Sequence, residues 1–98
     1  MVMQDRTVQV VDNKEASRYE LTIDGVEAGF IDYRLNGDTI VLAYIEIDPA
    51  FGGRGFGGRL TKEALDDCRS RGLRVMPTCP FIVDYIRRNP EYVSLTRE

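Results

Sequence analysis

Five glycines fall within seven residues, at positions 52, 53, 55, 57 and 58, directly after the apolar run Ile40-Val-Leu-Ala-Tyr-Ile-Glu-Ile47. With so few Cβ atoms in the way, successive backbone N–H groups can approach a ligand and turn toward one anion. After the glycines, Leu60, Thr61, Ala64, Leu65 and Cys68 recur at helical spacing opposite a charged face, and Gly72 stands where a helix stops. A second apolar run starts at Leu73. Strand, glycine-rich loop, helix and strand in that order make an anion-binding crossover, with the loop as a cofactor cradle.

The rest of the chain fits around this unit. Thr7–Val11 reads as a first strand and Asp12–Ser17 as the polar loop after it. In Arg18–Ile23, Tyr19, Leu21 and Ile23 share one face, as in a half-buried antiparallel strand. Asp24-Gly25 and Asn36-Gly37 are type I′ turn dipeptides, which makes strands two, three (Val26–Leu35) and four a meander. Strand four, Ile40–Ile47, is apolar on both faces as far as Ile45, the pattern of a central strand covered on both sides. Its exception is Glu46. Leu73–Met76 gives a short fifth strand parallel to strand four, ended by Pro77. Pro80 opens a second helix with an apolar face of Phe81, Ile82, Tyr85 and Ile86, and Asn89-Pro90 closes it. The tail, Glu91–Leu95, either packs back or frays. The predicted fold class is α+β, with residues 1–98 as a single domain.

Composition narrows the chemistry. A net charge of −3 leaves no basic excess for nucleic acid, so an anion site has to be local. The opening residues have neither a signal-peptide layout nor a membrane-spanning apolar segment, and the expectation is a cytoplasmic protein without a membrane or nucleic-acid partner. Cys68 and Cys79 lie on separate elements in a context without an export signal, which argues against a disulfide. The absence of His rules out His-based triads and His-ligated metals, and two Cys are too few for tetrahedral zinc, so no metal is expected.

The loop admits several readings. A Walker loop fails, because Gly53-x-x-x-x-Gly58 is followed by Arg59-Leu60 rather than Lys and a hydroxyl residue. Gly53-x-Gly55-x-x-Gly58 matches the dinucleotide fingerprint, but the next strand ends in Met76-Pro-Thr-Cys79, without an acid for a ribose. The plain alternative is a flexible glycine-rich loop.

Asp48-Pro-Ala-Phe-Gly-Gly-Arg-Gly-Phe-Gly-Gly-Arg-Leu60 resembles the pyrophosphate loop of the GNAT superfamily of acetyl-CoA-dependent N-acetyltransferases. The order of strands and helices is similar too, and Met76-Pro-Thr-Cys-Pro-Phe81 with Asn89-Pro-Glu-Tyr92 looks like the C-terminal signature of its minimal, YjdJ-like subgroup. Two departures stand out: the family's leading Gln or Arg falls on Gly52, and the His that some relatives carry on strand four is replaced by Tyr44 or its neighbours.

The resemblance implies an acetyl-CoA cofactor and an amine acceptor. The backbone of Ile45 and Ile47 is then expected to bond the pantetheine arm. Gly52, Gly53, Arg54, Gly55, Phe56, Gly57 and Gly58 form the pyrophosphate loop, and Arg54, Arg59 or Lys62 meets the remaining phosphates. Glu46 is the candidate base, on the expectation that a carboxylate ending an apolar strand is partly desolvated; the other reading is a solvated strand-end charge. Cys79, at the cap of the second helix, is either a catalytic thiol that carries the acetyl group or a small buried residue lining the channel. Cys68 is expected in the core. Tyr85 stands where larger relatives keep the acid for the departing thiolate, yet its spacing also fits the buried stripe. Phe51 and Phe56 are read as loop anchors. The expected activity is acetyl transfer to a primary amine by direct attack, and the alternative is a CoA-binding or partner-binding module with vestigial catalysis.

Overall fold

The computed structural model describes residues 7–97; the opening read above for export signals lies outside them. Strands β1 (Val8–Asn13), β2 (Arg18–Ile23), β3 (Val26–Asn36), β4 (Thr39–Ile47) and β5 (Arg74–Pro77) form one sheet in sequence order. Pairing is antiparallel through β4, and β5 runs parallel to β4. Helix α1 (Phe56–Ser70) joins β4 to β5, and α2 (Pro80–Arg88) follows. Short 3₁₀ segments cover Pro49–Phe51 and Pro90–Thr96. This is the α+β arrangement expected, and among the described residues no helix is long and apolar enough to cross a membrane.

Local chemistry accounts for most boundaries. Asp24 and Gly25 both take positive φ (53° and 84°), as a I′ turn requires. At the next hairpin Asn36 pairs with Thr39, which leaves Gly37-Asp38 as the two-residue loop, and positive φ falls on Gly37 (64°) alone of these. That is the II′ pattern rather than the I′ turn expected of Asn36-Gly37. β1 also runs two residues further than expected, because Asp12 and Asn13 pair with Tyr19 and Arg18.

The largest departure lies in β4. Asp32 faces Tyr44 and Tyr33 faces Leu42, so Ala43 is an extra residue, a β-bulge. The bulge shifts the alternation: Ile40, Leu42, Ile45 and Ile47 all pack toward the core, while Tyr44 and Glu46 are exposed. The strand is apolar on both faces in sequence because its phase changes part-way, not because both faces are covered.

The core lies on one side of the sheet. Tyr19, Leu21, Ile23, Ile31, Ile40, Leu42 and Val75 meet Leu60, Ala64, Leu65 and Cys68 of α1 and Ile82 of α2. The C-terminal segment packs back: Tyr92 is buried and its hydroxyl donates to Asp66 Oδ1 (2.7 Å).

A polar cluster fastens the end of α1 to the sheet. The Tyr19 hydroxyl donates to Asp67 Oδ2 (2.7 Å) and the Tyr33 hydroxyl to Asp12 Oδ1 (2.6 Å), while Arg71 donates to both carboxylates (2.8 and 3.0 Å). Desolvation, aided by the bond to Asp12, pushes the Tyr33 phenol up to about 12, and desolvation pushes the Cys68 thiol up to about 11. Both groups are therefore neutral in the fold at pH values where the unfolded chain has ionised them. Their contribution to stability is complete below the ordinary values of 9.0 and 10.0 and is lost as pH rises to the folded ones. The urea midpoint is expected to fall steadily above pH 9, and Cys68→Ala with Tyr33→Phe to make that fall shallower without abolishing it, since burial also raises the Tyr19 and Tyr92 phenols; a flat parent profile would refute the assignment.

Candidate functional site

The bulge adjoins the point where β4 and β5 part. Their ladder ends at Leu42 and Pro77, with the Thr78 N–H donating to the Leu42 carbonyl (3.1 Å). Beyond it, the Asp48 N–H donates to the Ala28 carbonyl (2.7 Å), so by antiparallel alternation the backbones of Tyr44 and Glu46 face β3. Those of Ile45 and Ile47 then face away from it, on the side where β5 has ended. β3 presses close behind this opening, since a Cβ on Gly29 would lie 2.7 Å from the Glu46 carbonyl oxygen and 2.5 Å from Ile47 Cδ1.

The glycine segment divides into a turn and a helix start. The Asp48 carboxylate accepts the Ala50 N–H (2.9 Å) and sets the 3₁₀ segment. Gly53 and Gly55 take φ of 74° and 80°, and Gly55 is the N-cap of α1. The helix begins at Phe56, three residues earlier than a loop ending at Gly58 implies, so Gly57 and Gly58 lie in its first turn. Arg59 N–H makes the first bond back, to the Gly55 carbonyl (3.1 Å). The N–H groups of Phe56, Gly57 and Gly58 have no partner within the helix, Gly55 has no side chain to cap them, and the first turn carries no acid. Their partial positive charge is of the kind that suits an anion, and Gly57 and Gly58 add no side chain of their own over it.

The basic residues expected there differ in their engagement. Arg54 is exposed and, among the described residues, forms no ion pair. Arg59 pairs with Glu63 and Lys62 with Asp66, each at 2.9 Å. Exposed i,i+4 pairs of this kind are worth about 0.3–0.5 kcal/mol, little enough to exchange for a phosphate.

Cys79 caps α2 as expected, 7 % exposed and two residues past the end of the ladder. Loop, opening and Cys79 therefore come together at one end of the sheet. Glu46 stands on the outer face, exposed rather than partly desolvated, with the Tyr44 hydroxyl donating to its Oε1 (2.7 Å). A concavity of about 290 Å³ adjoins it, lined by Glu27, Phe30, Glu46, Asp48 and neighbouring backbone. The Arg18 guanidinium lies 3.7 Å over the Phe30 ring. Tyr44 as the partner of Glu46 was missed; its i,i+2 spacing on one strand face was the available signal. Cys68 is in the core, as expected. Tyr85 is half-buried against the core, its ring 6.1 Å from that of Tyr92, and burial raises its pKa.

A family model described as GCN5-related N-acetyl-transferase matches residues 18–95. The chain belongs to this family. Among curated relatives, Protein NATD1 of Gallus gallus is 29% identical over 85 residues, covering 85% of this chain and 77% of its own length. A GCN5-like putative N-acetyltransferase from Staphylococcus aureus has a similar fold, with TM-score 0.67 at 17% identity over 89% of this chain and 85% of the other. A GNAT family acetyltransferase from Brucella melitensis, solved in complex with acetyl-CoA, aligns with TM-score 0.56 at 25% identity over 76% of this chain. The present chain spans about half of that protein, 53% of its length. The GNAT fold described above is thus shared with these proteins.

Proposed function

We propose that the protein binds acetyl-CoA and transfers its acetyl group to a primary amine by direct attack. The observation that carries this reading is the adjacency of two features: the unsatisfied amides at the start of α1, and the β4 backbone beyond Leu42, which β5 does not pair. A diphosphate fits the first and an amide-bearing arm the second. Gly53 to Gly58 and Arg54 hold the pyrophosphate, with Arg59 and Lys62 available once released from their carboxylates. The Ile45 and Ile47 backbones bond the arm.

When bound, acetyl-CoA supplies the acetyl group as an activated thioester. Glu46 accepts the proton of the attacking amine, directly or through a water, and the Tyr44 hydroxyl fixes the carboxylate that does so. The new C–N bond replaces the C–S bond, and the thiolate leaves to be protonated. Cys79 lines the channel without carrying the acetyl group. The exposure of Glu46 favours one other reading, a CoA-binding or partner-binding module with vestigial catalysis.

Thermal unfolding tests the binding step. At a hundredfold excess over Kd, acetyl-CoA or CoA is expected to add about 2.7 kcal/mol, a rise of roughly 10 °C or more in Tm for a chain of this size, while NAD and ATP leave it unchanged. Stabilisation by NAD alone would overturn the proposal.

A further inference from the structure

We infer that Phe81 is a contact residue for the pantetheine arm, its ring supporting the branched apolar pantoyl segment next to the diphosphate. The inference rests on the acetyl-CoA reading above and goes beyond it in assigning a residue that neither the glycine loop nor β4 contains.

Phe81 is 45% exposed, while Ile82 and Ile86 of the same helix are 0% and 6% exposed. A single exposed apolar residue is ordinary, and Val26 and Leu35 at the hairpin ends are of that kind. Phe81 differs in what it touches. A Cβ on Gly57 would lie 3.0 Å from its Cζ and 3.5 Å from both Cε atoms, so the tip of the ring rests on the first turn of α1 at Gly57. Any larger residue at 57 displaces the ring. Phe81 also follows closely on Thr78, whose N–H closes the β4–β5 ladder, and on the α2 cap at Cys79. It therefore rests on the start of α1 and lies three residues along the chain from the last bond of the β4–β5 ladder.

A ligand that spans those two places has to pass this ring. In CoA the portion between the diphosphate and the first amide is a quaternary carbon with two methyl groups, which needs apolar contact. Of the rim's other side chains, Arg54, Arg59, Lys62 and Asp48 are exposed and charged, while Phe51 and Phe56 are half-buried against the core. The exposed part of the Phe81 ring is the apolar surface placed to meet it.

The test compares CoA with 3′-phosphoadenosine 5′-diphosphate, which keeps the diphosphate and lacks the arm, by titration calorimetry on the parent, Phe81→Ala and Phe81→Leu. Phe81→Ala is expected to weaken CoA about tenfold and Phe81→Leu no more than about threefold, with the armless nucleotide unchanged within about twofold in both. Circular dichroism checks the fold, and Phe81→Leu retains apolar volume should the alanine variant unfold. Equal losses for both ligands would overturn the inference, since the ring would then serve the nucleotide or the shape of the anion site. Undiminished CoA binding in Phe81→Ala would overturn it while leaving the functional reading in place. A parent protein that fails to bind CoA would remove both.

Discussion

Replacing Gly55 with valine is expected to weaken acetyl-CoA binding by about a hundredfold or more while the protein still folds. A Cβ at this position meets nothing within 4 Å, so the effect is not a collision. Its φ of 80° is the difficulty, because a β-branched residue held in the left-handed region costs roughly 1–2 kcal/mol. The strain is relieved by turning the Gly53–Gly55 backbone, and that turn aims the first amides of α1. Losing one or two charge-assisted hydrogen bonds to a diphosphate accounts for the factor. Gly25 is the matched control: its φ is 84°, its Cβ position is also open, and it lies in the β2–β3 turn. Gly25→Val should show a similar loss of Tm with CoA affinity intact. If Gly55→Val unfolds while Gly25→Val does not, Gly55 serves the fold and the cradle assignment fails.

Glu46→Gln is expected to lower turnover by about 10² or more, with CoA affinity nearly unchanged. The substitution keeps the shape of the side chain and its acceptor for the Tyr44 hydroxyl while removing the base. Release of free thiol in the presence of a panel of primary amines reads the rate, and calorimetry reads binding. Cys79→Ala should stay within about tenfold of the parent, because direct attack does not pass through the thiol. The opposite pattern, Cys79→Ala inactive and Glu46→Gln unimpaired, would replace direct attack with a covalent acetyl-cysteine route. Parent turnover absent across the panel despite CoA binding would favour the binding-module reading.

The parts of this fold that were legible in sequence are those set by local backbone chemistry. Asp24-Gly25 gave its turn type because two adjacent residues must both take positive φ, and Cys79-Pro80 gave the start of α2 because proline fits a first helical position. Asn36-Gly37 marked a turn but not its register, since glycine serves equally well as the first central residue of a II′ turn. Glycine also obscured the start of α1. Gly57 and Gly58 look like loop by propensity, yet they are helical where Phe81 and Tyr85 pack against them. The uncapped helix start after a glycine-rich loop was legible, because it needs only backbone and the absence of side chains. The surroundings of Glu46 were not, for its exposure depends on which face β4 turns outward, and that is fixed by the pairing of Asp32 and Tyr33 far away in sequence.

The bulge at Ala43 carries a consequence of its own. Leu42 points inward, Tyr44 outward and Ile45 inward, so the inside and outside of β4 stay in step as if the residue between them were not there. A strand one residue shorter would present the same faces to core and solvent and still carry Glu46, but only the end of β5 at Pro77 would then stop the pairing. Chain length at this point, together with that proline, separates a closed sheet from one that can admit a ligand. Position 43 is accordingly permissive to exchange and intolerant of deletion, an asymmetry that an inventory of functional side chains passes over.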